Sequence, residues 1–186
     1  NPTASVTPAG TLAPLRYAVL AAVGGQVVFC DSDYYPVGSP EMERQNAENY
    51  VANPPDRQEF DAILQHLGLS GTVVFSQEQK LTVYREYKRI NAVGMLPQDG
   101  GYGFYFRVHY PNPSGPSPGP YGENVFFVRG TVTPGGQVTV SSKEPAVMVC
   151  PICLAAGTHG DTPNGPVVVQ DVRVGTVVFT KDETGR

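Results

Sequence analysis

Tryptophan is absent from this 186-residue chain, and cysteine, methionine and histidine occur only three times each. Three cysteines allow one disulfide and leave an odd thiol, so the fold cannot rest on a disulfide framework and must bury a core. Charged side chains are sparse, at 16%, and their balance is net −4. No stretch gathers Lys and Arg into the patch that phosphate binding needs, which excludes nucleic acid as the expected partner. The longest apolar run, residues 15–23, is interrupted by Arg16 and falls well short of the roughly 20 residues that cross a bilayer, so no transmembrane segment is expected. There is no P-loop, no GxGxxG fingerprint and no Ser-His-Asp set, and hence no cofactor is implied.

What is present is a chain 40% hydrophobic, enough for one packed core with a short appendage but too short for two domains of ordinary size. The 21 glycines and 18 prolines mean that turns and loops occupy much of it. Residues 1–12, NPTASVTPAGTL, are small, Pro/Thr/Ser-rich and unable to bury apolar surface, and read as a flexible leader. Mature exported and lipid-anchored bacterial proteins begin with such spacers after signal-peptide removal, and a chain trimmed to its folded part would begin the same way.

Residues 13–23 are good helix formers that stop at Gly24-Gly25, and residues 26–30 (QVVFC) are a short β-prone run before the turn Asp31-Ser32-Asp33. Ser39 as N-cap, Pro40 at the first position and Glu41 and Glu43 in the first turn predict a helix to about residue 51. Phe60, Ile63, Leu64 and Leu67 recur at i, i+3, i+4, i+7 and predict a helix over 56–67 ended by Gly68. Ser76 and Gln79 form a capping-box pattern that opens a helix to about residue 88.

From residue 89 the period changes to that of a β-meander: strands over 89–96 and 102–110 about the turn 97–101, then 123–132 and 137–142 about 133–136. Phe104, Phe106, Val108 and Tyr110 alternate with Tyr105, Arg107 and His109, as in an antiparallel sheet with one face buried. The outward face is usually sheet surface, though such a face can bind partners. Residues 111–122 (PNPSGPSPGPYG) read as a mobile loop, and residues 147–150 as a run that could finish the sheet. The expected fold class is therefore α+β, with several short helices on a four-stranded antiparallel meander.

Residues 153–180 begin with a Cys and a small-residue turn. A polar turn over 161–165 and β-runs at 167–169 and 177–179 follow, which predict two strands with a tight connector. Cys153-Leu154, Gly157-Thr158, Thr162-Pro163, Gly165, Val169-Gln170-Asp171-Val172 and Gly175 closely resemble the first motif of Hint (hedgehog/intein-type) self-cleaving domains. The whole chain also resembles bacterial exported proteins in which a Cys-Asp-x-Asp-Tyr-Tyr-Pro stretch, here Cys30 to Pro36, precedes Cys-Pro-Ile-Cys-Leu, here Cys150 to Leu154, and a Hint domain.

The resemblance implies attack of the Cys153 thiol on the Ile152 carbonyl, turning the peptide bond into a thioester. Such chemistry needs an oxyanion donor and a histidine to protonate the departing nitrogen. The family takes that histidine from a downstream Thr-x-x-His, which these residues lack, and His159-Gly160 stand where the family usually has an apolar strand start. The segment is accordingly expected to be incomplete and inactive in this chain.

Cys30 and Cys150 each end a predicted strand and are the candidate disulfide, with zinc held by Cys30, Cys150, Cys153 and His159 as the alternative use of the Cys150-x-x-Cys153 pair. Asp31 and Asp33 suggest calcium only weakly, since Met42 stands at the twelfth loop position from Asp31, and a turn is the simpler reading. His66, near a helix C-terminus, suits the dipole there.

The chain is thus expected to comprise a leader over 1–12, an α+β domain over 13–149 and a truncated Hint-like segment over 150–186. The expected function is an exported, extracellular or surface-tethered binding or structural module for an unidentified protein or extracellular ligand. The alternative is the N-terminal partner of a self-cleaving domain.

Overall fold

The computed structural model describes residues 11–34, 39–111, 124–147, 150, 157–173 and 175–179. The chain divides into two compact units, Asn1–Cys150 and Pro151–Arg186. Most of the expected leader and of the loop over 111–122 lies outside the described residues.

In the first unit α1 (Ala13–Val23) runs into Gly24 and Gly25, whose φ of 69° and 73° reverse the chain into β1 (Gln26–Val28). Three further helices start where their caps predict. In α2 (Pro40–Ala52) the Ser39 hydroxyl accepts from the Met42 amide, and in α3 (Arg57–His66) the Asp56 carboxylate accepts from Gln58 and Glu59. The capping box of Ser76 and Gln79 opens α4 (Gln77–Asn91). This helix outruns its expected end at residue 88. Ile90 continues the stripe of buried Val83 and partly buried Tyr87, and the Asn91 amide donates to Glu59 on α3 at 2.9 Å.

The sheet is antiparallel throughout, with β2 (Gly94–Gln98), β3 (Gly101–His109), β4 (Val125–Val132) and β5 (Val138–Pro145) forming the expected meander. It has five strands rather than four, because β1 and β2 lie end to end along the same edge of β3, β1 opposite residues 107–109 and β2 opposite 101–105. The order β1-β3-β4-β5 puts β1 and β5 on opposite edges. The run at 147–150 adds no strand among its described residues, since β5 ends at Pro145 and the Ala146 amide closes on the Val125 carbonyl.

Helix α1 has apolar residues all round because it is buried on two sides. Leu15, Val19 and Val23 pack on the sheet against Phe104, Phe106, Val108, Val128 and Val132. Ala13, Tyr17 and Leu20 pack on Phe60, Ile63, Leu64, Val83 and Ile90 of α3 and α4. The layers are therefore sheet, α1, then the remaining helices. Arg16 bonds Glu59 and Asn91, both at 2.7 Å, and pins α1 to α3 and α4.

The second unit contains β6 (His159–Thr162) and β7 (Gly165–Val168), joined by a turn in which the Thr162 hydroxyl donates to the Gly165 carbonyl at 2.6 Å. The expected β-run at 177–179 is not a strand. Its Phe179 amide makes a single bond to the Asp161 carbonyl, at 2.8 Å. The strand before the turn starts instead at His159, where the resemblance implies an apolar residue.

Candidate functional site: an ion network and an open sheet face

The Asp31-Ser32-Asp33 stretch is a turn, closed by the Asp33 amide on the Asp31 carboxylate at 3.0 Å and the Tyr34 amide on the Asp31 carbonyl. It presents both carboxylates to α4. The Lys88 ammonium donates to Asp31 at 2.7 Å, to Asp33 at 2.7 Å and to Glu43 of α2 at 3.1 Å. Arg85, one turn earlier, binds Glu43 with both arms of its guanidinium, at 2.9 and 2.6 Å. Asn46 and Tyr84 donate to Asp33, and Tyr34 donates to Glu43. The side chains of Lys88, Asp33 and Glu43 are 8%, 2% and 4% exposed, so these charges are satisfied by one another and not by water.

The oxygens of Asp31, Asp33 and Glu43 lie within 4.8 Å of one another, close enough to ligate a metal ion. The Lys88 ammonium already stands among them, so the resident cation is the lysine and the cluster serves as a clamp. It fastens the chain leaving β1 to α2 and α4, directly beside Cys30.

The network has an acid limit. Hydrogen bonds from Arg85 first, opposed by burial and reinforced by Lys88 and Tyr34, hold the Glu43 carboxyl down from 4.5 to about 2. Burial pulls the Lys88 ammonium toward deprotonation, but its bonds to Asp31, Asp33 and Glu43 overcome this and hold it above the ordinary lysine value. A carboxyl depressed on folding stabilises the protein above its unfolded pKa and loses that contribution as the pH falls through the folded one. Stability should therefore decline as the pH descends from 4.5 toward about 2. Urea midpoints across that range measure it, and Glu43→Gln should flatten the decline.

The second feature is the sheet face away from α1. Strand register places Tyr105 opposite Arg129 and Arg107 opposite Phe127, so two aromatic and two arginine side chains form a square with like types on each diagonal. The Tyr105 and Phe127 rings are 6.2 Å apart, and the Arg107 and Arg129 guanidiniums lie 5.6 and 4.8 Å from the Phe127 ring centre. Gly94 of β2 makes the arrangement possible: ring atoms of Tyr105 lie 2.5–2.8 Å from where a Cβ would stand, so the ring folds down across the glycine. Tyr105 stays 42% exposed. Among the described residues no carboxylate lies within ion-pairing distance of Arg107 or Arg129, although Glu144 is on the same face opposite Phe127.

No family, curated protein or solved structure matches this chain.

Cys30 and Cys150 are joined in a disulfide with a Cα separation of 5.3 Å, as expected from sequence. It ties the chain leaving one sheet edge to the chain leaving the other. With both sulfurs in that bond neither is a thiolate ligand, so the zinc set of Cys30, Cys150, Cys153 and His159 cannot form alongside it. The candidate nucleophile Cys153 and its neighbour Ile152 lie outside the described residues. His66 ends α3, where it stacks on Tyr17 at 3.9 Å and approaches Glu86 at 3.8 Å. His109 is on the open face of β3, two residues beyond Arg107.

The aspartates and the outward Tyr105, Arg107 and His109 stand out in the sequence, whereas the roles of Lys88, Glu43 and Arg85 do not. The available signal was Arg85 and Lys88 three residues apart on a predicted helix, with Lys88 one turn past Tyr84, whose ring it overlies at 4.7 Å. A groove of about 560 Å³ lined by Val51, Phe60, Leu64, Val74, Phe75 and Lys80 was also not foreseen. Its charged rim is internally paired, Lys80 with Glu48 at 3.6 Å and Arg57 with Asp61 at 3.1 Å.

Proposed function

We infer that the unit ending at Cys150 is an extracytoplasmic binding module that meets its ligand through the open sheet face. The observation that carries this reading is the pair of guanidiniums, Arg107 and Arg129, held beside aromatic rings with no ion-pair partner among the described residues. A guanidinium without a carboxylate is ready to bind an anion, whereas the groove by Phe75 offers none. The disulfide supports an oxidising compartment, and no helix among the described residues is long and apolar enough to cross a membrane. The test is retention of the purified protein on bacterial cell-envelope preparations. Wild type should be retained, and a Tyr105→Ser/Phe127→Ser variant with unchanged far-UV circular dichroism should not. Equal retention of the two, or retention of neither, counts against the module.

A second reading rests on the resemblance of Cys153 and the residues after it to a Hint motif. Here residues 151–186 begin a self-cleaving domain in which Cys153 displaces the amide nitrogen from the Ile152 carbonyl. Without a positioned general acid that step loses about 10²- to 10⁴-fold in rate, so the Ile152–Cys153 bond should stay intact in these 186 residues. Incubation with hydroxylamine and mass spectrometry beside Cys153→Ala checks this. A nucleophile-dependent fragment ending at Ile152, absent from the alanine variant, would show that the segment performs the acyl shift.

A further inference from the structure

The open face carries chemistry beyond simple anion binding. Tyr105 offers a flat, half-exposed ring pressed onto the sheet over Gly94, and a flat ring with a free face suits the apolar C–H face of a pyranose. Phe127 is covered by its two guanidiniums, so it orients them and leaves Tyr105 as the stacking platform. Arg107 and Arg129 occupy diagonal positions, which in an antiparallel sheet are about 7–8 Å apart. Each can therefore take a separate acidic group of one polymer, and each guanidinium matches a planar carboxylate in two-pronged fashion. Leu96, 60% exposed on β2, and Gln98, whose carboxamide lies over Gly103, extend the surface along the Tyr105 side. Glu144 limits it on the β5 side, opposite Phe127.

We propose that this face binds an acidic polysaccharide, with a sugar ring on Tyr105 and uronate carboxylates on Arg107 and Arg129. The proposal rests on the binding-module reading and names its ligand class. A duplex or single-stranded nucleic acid fits less well, because the chain is net −4 and gathers no further cations around the two arginines. An acidic peptide would satisfy the arginines but leave the flat face of Tyr105 without a matching partner.

The experiment uses the full chain and three probes: polygalacturonate, the same polymer methyl-esterified to remove its charge, and poly-glutamate. Calorimetry or affinity electrophoresis should show binding to polygalacturonate that weakens as salt rises and falls at least tenfold on esterification. Arg107→Gln/Arg129→Gln should lose roughly tenfold or more and most of the salt dependence. Tyr105→Ala should lose a similar factor, and Tyr105→Phe, which keeps the ring, should bind as wild type. Thermal melting identifies any variant that fails to fold, and the Tyr105→Phe and double-glutamine variants then decide the matter. Equal binding of poly-glutamate, or indifference to Tyr105→Ala in a folded protein, would mean that the face reads charge alone and overturns the proposal. Absence of binding to all three probes also overturns it. In that case envelope retention that still depends on Tyr105 and Phe127 would leave the module reading standing, with a different ligand.

Discussion

Replacement of Cys30 and Cys150 together by serine is expected to lower the stability of the first unit by about 4–5 kcal/mol. The bond closes a loop between residues 120 apart, and removing so long a constraint from the unfolded chain restores an entropy worth roughly that amount. Its position adds a structural reason. The sheet order puts β1 at one edge and β5 at the other, and β1 contributes only three residues, too few to hold that edge by its ladder alone. For a unit of this size the loss corresponds to a fall in Tm on the order of 15 °C. Urea unfolding of oxidised, reduced and doubly substituted protein measures it. A change below about 1 kcal/mol would mean that the ion network holds the β1 edge without the disulfide.

Lys88→Met is expected to cost about 3–5 kcal/mol, because it leaves Asp31, Asp33 and Glu43 facing one another with their shared cation gone. Arg85 cannot compensate, since it reaches only Glu43 and its own side chain is 59% exposed. Arg85→Met should cost less than Lys88→Met, because Glu43 keeps its bonds from Lys88 and Tyr34 and only one carboxylate loses a partner. The distinguishing result is rescue. Adding Asp31→Asn and Asp33→Asn to Lys88→Met removes the repulsion and should recover more than half of the loss, as cycles on interacting groups do. If Lys88→Met proves neutral, or if the added substitutions worsen it further, the network is not a clamp.

What could be read from the sequence was what depends on near neighbours. The starts of α2, α3 and α4 were legible because Ser39, Asp56 and Ser76 cap amides two or three residues away. The faces of β3 were legible because alternation is local, and its outward residues are those on the open face. The end of α4 was not, since Arg89 to Asn91 look no more helical than strand-like and are held by Ile90 in the core and by Glu59 across to α3. The place of β1 was equally hidden: its partner lies about eighty residues away, and only the space left by β2 along β3 selects it. The ion network failed to show for the same reason, since Lys88 meets its acids across sequence separations of 45 to 57 residues. The disulfide was foreseen because only three cysteines exist and two end β-prone runs.

If ligand binding belongs to the open face, a residue-resolved NMR titration of the oxidised protein with polygalacturonate will map it there. Amide and side-chain shifts are expected to concentrate at Gly103, Tyr105, Arg107, Phe127 and Arg129 and at neighbouring Gly94 and Leu96. Residues 72–75 by the groove and Lys88 in the clamp should stay unperturbed. Shifts centred on the groove, or a spectrum unchanged at saturating polymer, would contradict binding at the open face.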